Sequence, residues 1–170
     1  TLHNIRTKPM YYLKGGVNDG IRFPSASIPS NFTIITVSRY AGSNKGRIFN
    51  ATSGNWLHGH WNGHTGVAYY EGWKVENAPA SYTDGDWLIF GGQNKSSSSL
   101  YTIDGSNYLS SSNGGTGNRT LSINDGAGTE LSDWEVREIL IWDKHLTQEQ
   151  FAEAYVNLNN EQTPADNPTW

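Results

Sequence analysis

Short runs rich in β-branched and aromatic residues follow one another along the chain, each bounded by Gly, Asn, Asp, Ser or Pro. They read GIRF, NFTIITVSRY, GRIFNA, NWLHGHW, GVAYYEGW, DWLIFGGQ, SLYTI, NYLS, RTLSI and WEVREILIW. Short strands at near-regular spacing bury their apolar sides only by pairing into sheets and stacking those sheets, so the pattern predicts an all-β, antiparallel two-sheet β-sandwich. Nineteen Gly, seven Trp and nine Tyr against one Met fit short strands and tight turns better than helices. In SLYTIDGSNYLS, Asp104-Gly105 can take the positive φ angles of a two-residue turn and predicts a hairpin. FTIITVSRY and WEVREILIW carry apolar residues at both parities and are expected to be central strands covered on both faces.

One segment reads as a helix. In LTQEQFAEAYVNLNN, Thr147 and Gln150 have the spacing of a capping box, and Phe151, Tyr155 and Leu158 then share a face that should lie on the sandwich. A chain of 170 residues is enough for one self-sufficient core. We therefore expect a single domain over residues 1–160, with 161–170, rich in proline and without periodicity, as a tail or linker.

With no cysteine, neither a disulfide framework nor a thiolate metal site can be built. The net charge is −4 and the 12 Lys and Arg are scattered, so no nucleic-acid partner is expected. No apolar run approaches the ~20 residues that span a bilayer, and membrane insertion is not expected either. Asn31, Asn50, Asn94 and Asn118 each open a tripeptide that would permit N-glycosylation in a secretory route.

The stretch NWLHGHWNGHTG, residues 55–66, concentrates the chemistry. On an extended strand Trp56, His58 and His60 share one face, with Leu57 and Trp61 on the other. His58 and His60 would stand ~6.6 Å apart by strand rise, close enough to share a metal ion, with His64 returning from the next turn as a third ligand. The same row would also make a sugar surface, since aromatic rings take the C–H face of a sugar while imidazole and amide groups take its hydroxyls. Asn62, Tyr69, Tyr70 and Trp73 extend that surface, with Gln93 as a further polar partner. The competing reading is that these aromatics simply fill the sandwich. For glycoside hydrolysis two carboxylates must face each other. Glu135 and Glu138 differ in parity and should point to opposite faces, and Asp84 and Asp86 flank a turn glycine.

The passage SDWEVREILIWDKHLTQEQFAEAYVNL resembles the closing signature of LamG-like jelly-roll domains of the concanavalin A-like lectin and glucanase superfamily. Glu138, Asp143, Leu146 and Thr147 stand at the signature's places. GGVNDGIRFPSASIPSNFTIITVSRY and LYTIDGSNY are similar to its first strands and its middle hairpin, so the resemblance runs from about Val17 to Leu158. It implies a concanavalin A-like jelly roll, glycan binding on a sheet face, and in some members calcium. The aspartates beside glycine in expected turns, Asp19, Asp84, Asp86, Asp104 and Asp125, could supply oxygen ligands to a hard cation, and the same Asp-Gly pairs equally serve as ordinary hairpin turns. It also implies Glu138 as a structural acid. The superfamily's paired acids, Glu-any-Asp-any-any-Glu, are not found. A lyase role for His60, Tyr69, Tyr70 and Arg39 lacks the surrounding motifs.

The sequence thus leads us to expect a non-catalytic, lectin-like or adhesion module, extracellular, cell-surface or virion-associated, with a glycan as partner. Its expected site residues are Trp56, His58, His60, Asn62, His64, Tyr69, Tyr70 and Trp73. A polysaccharide lyase or hydrolase, and a structural virion or extracellular interaction domain without a glycan site, are the alternatives.

Overall fold

The computed structural model describes residues 11–76, 85–110, 114–126 and 128–162. Sheet A runs in the order β1 (Leu13–Gly15), β12 (Ser132–Trp142), β3 (Thr33–Lys45), β8 (Leu88–Gln93), β9 (Ser99–Ile103), β10 (Ser106–Ser110). Sheet B runs β2 (Ile21–Arg22), β11 (Leu121–Ile123), β4 (Phe49–Ala51), β5 (Trp56–Trp61), β6 (His64–Tyr70), β7 (Trp73–Val75). Neighbouring strands are antiparallel throughout. One helix, α1 (Gln148–Gln162), follows β12.

The chain is therefore an all-β sandwich with a single C-terminal helix. The two long apolar strands, β3 and β12, are central in sheet A, as their two-sided apolar pattern required. Asp104 and Gly105 adopt φ of 44° and 87° in the β9–β10 turn, the left-handed pair that matches hairpin twist. Asn62 and Gly63, at 48° and 79°, do the same between β5 and β6. Two strands escaped sequence reading. β1 is too short for a pattern, and Glu71-Gly72 breaks the expected run GVAYYEGW into β6 and β7.

Two apolar clusters hold the layers together. Between the sheets lie Phe32, Ile34, Phe49, Trp56, Tyr70, Phe90 and Tyr101, all essentially inaccessible. On the outside of sheet A, Ile35, Val37 and Ile89 meet Leu146, Phe151, Tyr155 and Leu158 at the start and along the inner face of α1. The helix begins where its cap is satisfied. Gln150 N–H donates to Thr147 Oγ1 at 3.3 Å, and Thr147 N–H donates to Gln150 Oε1 at 3.0 Å. The Tyr155 hydroxyl anchors it to the sheet, facing the carbonyls of Ile89 at 3.1 Å and Thr102 at 3.0 Å. No helix among the described residues is long and apolar enough to cross a membrane.

The asparagines of two of the four sequons are buried. Asn94 Oδ1 accepts from Phe32 N–H at 2.8 Å and its amide donates to Ser30 O at 2.8 Å. Asn50 is 1% exposed, so neither offers an accessible acceptor for a glycan. Asn31 and Asn118 are exposed. Of the expected tail, Glu161 and Gln162 close α1, and 163–170 lie outside the described residues.

Docking of α1 through buried apolar side chains predicts the cost of undoing it. Phe151→Ala should lower unfolding free energy by about 3–5 kcal/mol. Tyr155→Phe, which removes only a buried hydroxyl, should cost about 1–2 kcal/mol. Urea midpoints with an unchanged far-ultraviolet β signal would verify the order; equal effects from the two variants would refute it.

Candidate functional site

Strand parity puts Trp56, His58 and His60 on one side of β5, and that side faces the core. Their exposures are 1%, 0% and 0%, and Tyr70, paired with Trp56 across β6, is also at 0%. The expectation that these four meet a glycan is overturned. They form an internal aromatic stack instead. Trp56 and Tyr70 lie 4.9 Å apart with planes at 16°, and His58 continues the stack at 6.1 Å from Trp56.

The imidazole of His58 survives burial because both nitrogens are used. The Phe90 carbonyl only accepts, so Nε2–H donates to it at 3.2 Å, leaving Nδ1 to accept from the Tyr70 hydroxyl at 2.8 Å. His60 Nδ1 lies 3.4 Å from Ser38 Oγ, and its ring meets Tyr40 edge-on at 4.8 Å. Loss of solvation holds both rings neutral, with pKa values lowered to about 3, His60 also disfavouring charge on His58.

His64 lies on the opposite face of the sheet, opposite Trp61 in the register. The three histidines therefore do not converge on a metal. Among the described residues no group of three or more His, Asp and Glu side chains does. Three of the five aspartates expected at a calcium site make hydrogen bonds or ion pairs within the sandwich. Asp104 Oδ1 accepts from Ile89 N–H, Asp125 pairs with Arg22 at 2.9 Å, and Asp19 Oδ2 accepts from Gly16 N–H. Asp84 lies outside the described residues, and Asp86 is exposed.

The outward face of sheet B holds the remaining expected residues. The register aligns Asn50, Leu57, Tyr69 and Trp73 in one row across β4 to β7. Trp61 lies on the same side and is half-buried, as are Tyr69 and Trp73, while Asn62 and His64 are exposed. Their rings touch in sequence. Tyr69 meets Trp73 at 5.2 Å, Trp73 meets Trp61 at 5.2 Å, and Trp61 stacks on His64 at 6.1 Å. Gly59 and Gly66, at φ of 88° and 73°, bracket an irregularity in the β5–β6 pairing. It keeps Trp61 and His64 outward while His60 stays inward.

Polar groups border this aromatic patch. Glu130 accepts from Trp61 Nε1 at 2.9 Å and pairs with Arg47 Nε at 2.6 Å, and Arg47 donates to Asn55 Oδ1 at 2.8 Å. The buried amide of Asn50, in the same row, has no partner among the described residues. Sequence reading missed Glu130 and Arg47 as parts of this surface. They come from connections far apart in sequence, and nothing local signals their meeting. Gln93, suggested as a polar partner, belongs to sheet A, where its amide donates to Leu146 O.

Parity fails once more on β12. A bulge between Val136 and Glu138 sets Glu135 opposite Arg39 and Glu138 opposite Val37, so both acids point outward from sheet A, contrary to expectation. They still make a poor acid–base pair. One Glu135 oxygen lies 2.6 Å from Arg39 Nε and the other 3.3 Å from Lys14 Nζ. Glu135, not Glu138, is thus the acid bound into the structure. Glu138 lines a cavity of about 350 Å³ with Leu140, Trp142 and residues of α1.

No family model matches the chain, and no curated protein matches it in sequence. Solved structures do share its fold. Domain 4 of AbnA, a GH43 extracellular arabinanase from Geobacillus stearothermophilus in complex with arabinotriose, aligns with a TM-score of 0.63 at 15% identity. The alignment covers 86% of this chain and 81% of that one. Trypanosoma rangeli sialidase with 2,3-difluorosialic acid aligns at 0.59 and 16% identity, over 92% of this chain and 29% of that one. The same sialidase with sialic acid gives 0.58 at 12%, over 89% and 28%. The chain thus spans less than a third of the sialidase. At these identities the likeness establishes a jelly-roll-like β-sandwich.

The buried histidines predict acid sensitivity. Each is neutral when folded and titrates near 6.5 when unfolded, so the unfolded chain takes up protons that the folded one refuses. Their contribution is complete above pH 6.5 and is lost as pH falls toward about 3. Each should add about 1.4 kcal/mol per pH unit to the slope within that window. Urea unfolding at stepped pH should show the slope fall by about that amount in His60→Leu; an unchanged slope would contradict the assignment.

Proposed function

We propose that the chain is a non-catalytic glycan-binding module of LamG-like type, acting outside the cell or on a particle surface. Its binding surface is the outward face of β5, β6 and β7. The observation that carries this reading is the run of touching, partly exposed rings Tyr69–Trp73–Trp61–His64 bordered by hydrogen-bonding groups. Partly exposed indoles gain little from water and offer flat apolar faces to sugar C–H groups, while Asn62, His64 and Glu130 supply donors and acceptors for hydroxyls. Of the sequence-derived site, Asn62, His64, Tyr69 and Trp73 remain, joined by Trp61.

The shared fold of an arabinanase domain solved with arabinotriose supports a saccharide ligand, and its extracellular parent enzyme supports that location. A non-catalytic role is favoured by the chemistry of the surface. Hydrolysis asks for two opposed carboxylates, whereas Glu130 is the single acid among the described residues of the patch and the adjoining cleft.

Trp73 sits between Tyr69 and Trp61, so its removal should cost most. A glycan array should return saccharide ligands, and Trp73→Ala should weaken them at least about tenfold, as loss of a central aromatic anchor does. Circular dichroism should show the variant still folded, because the indole lies on the outer face of sheet B and is not part of the core between the sheets. An array silent for the native protein would overturn the reading.

A further inference from the structure

Beyond Trp61 the patch opens into a cleft of about 460 Å³, walled by Asn44, Lys45, Asn62, Gly63, Thr129 and Glu130 among others. That volume is in the roughly 300–1,000 Å³ range of small-ligand pockets. Three connections form its walls, and backbone hydrogen bonds staple them together. Gly63 N–H donates to Lys45 O at 2.9 Å, Gly46 N–H to Leu131 O at 3.2 Å, and Arg47 N–H to Glu130 O at 2.8 Å. The cleft is thus preorganised, and a ligand entering it need not order these segments.

Its lining differs from that of the patch. It carries Ser43, Asn44, Asn62 and Thr129 with the carboxylate of Glu130, and no aromatic residue among the described ones. Glu130 belongs to both surfaces. One of its oxygens accepts from Trp61 Nε1 at 2.9 Å, and the other is ion-paired with Arg47 Nε at 2.6 Å. A carboxylate oxygen has a second acceptor site, and the Glu130 side chain is 39% exposed, so it remains open to a hydroxyl. The hydrogen bond from Trp61 and the ion pair with Arg47 hold its orientation, which makes it a selective acceptor rather than a mobile charge.

Building on the glycan reading, we infer that the protein binds an oligosaccharide across two subsites rather than a single sugar. One unit stacks on the Tyr69–Trp73–Trp61 patch, and the next lies in the polar cleft with its hydroxyls on Glu130 and Asn62. Glu130 is then the specificity-determining residue of the second subsite.

Titration calorimetry with neutral arabinan, xylan, glucan and galactan ladders of one to five units tests this. Affinity should rise at least about tenfold from monomer to trimer in the ladder that binds, the gain of a second contact region. Glu130→Gln should lower trimer affinity and bring the trimer-to-monomer ratio toward one. Asn62→Gly, which keeps the left-handed turn while deleting the side chain, should do the same without depending on the Arg47 ion pair. Equal affinity for monomer and trimer overturns the two-subsite inference. So does an undiminished ratio in both variants while Trp73→Ala abolishes binding; in either case the glycan reading stands. Silence of the native protein toward every ladder overturns the two-subsite inference, and silence on the glycan array as well overturns both.

Discussion

The orientation of β5 is the constraint on which the rest of this molecule depends. Its Trp56–His58–His60 side enters the space between the sheets, where Trp56 stacks on Tyr70 and His58 bridges the Tyr70 hydroxyl and the Phe90 carbonyl. That bridge ties sheet B to sheet A through a polar contact inside an apolar layer. A core of this kind admits one register, because shifting β5 by a residue would expose the stack and bury Trp61 instead. It also makes the interior sensitive to protons, since the imidazoles are tolerated there only as neutral rings.

Much of the architecture was legible because it is written in local chemistry. The Asp104-Gly105 hairpin, the Thr147–Gln150 cap, the α1 face of Phe151, Tyr155 and Leu158, and the central place of β3 and β12 each follow from residues close together in the chain. The candidate site was legible only by half. Parity divided β5 correctly into two faces, yet both faces carry aromatic rings, and nothing in NWLHGHW states which one a second sheet will cover. Histidine usually argues for exposure, and here that prior misled, because Tyr70 and Phe90 arrive from elsewhere to satisfy His58. Bulges were the other blind spot. One extra residue near Gly66 or Arg137 reverses the alternation, and it turned Glu138 to the same side as Glu135.

The two outer faces of the sandwich have unlike fates. On sheet A, α1 covers the half built from Ile35, Val37 and Ile89. The other half is occupied by Lys14, Glu135 and Arg39, with the Arg39 guanidinium 4.5 Å over the Trp87 ring. These groups satisfy one another. On sheet B the described residues place no helix over β5 to β7, and the rings there contact each other while remaining partly open.

That asymmetry bears on why the surface carries indoles at all. Leu57 and Val67 lie on the outward side of sheet B by register and are nonetheless buried, at 1% and 0% exposure, so this face already has a layer of its own. Shielding such residues needs only apolar bulk, which Leu or Ile would supply. Trp61 and Trp73 add flat faces and an N–H, and the Trp61 N–H is committed to a carboxylate that pairs with Arg47 and borders a polar cleft. A shielding layer has no use for an oriented carboxylate acceptor at its edge, because fixing that side chain costs conformational entropy. A ligand that presents an apolar face beside hydroxyl groups uses both features together, and that is the amphipathic character of a sugar ring.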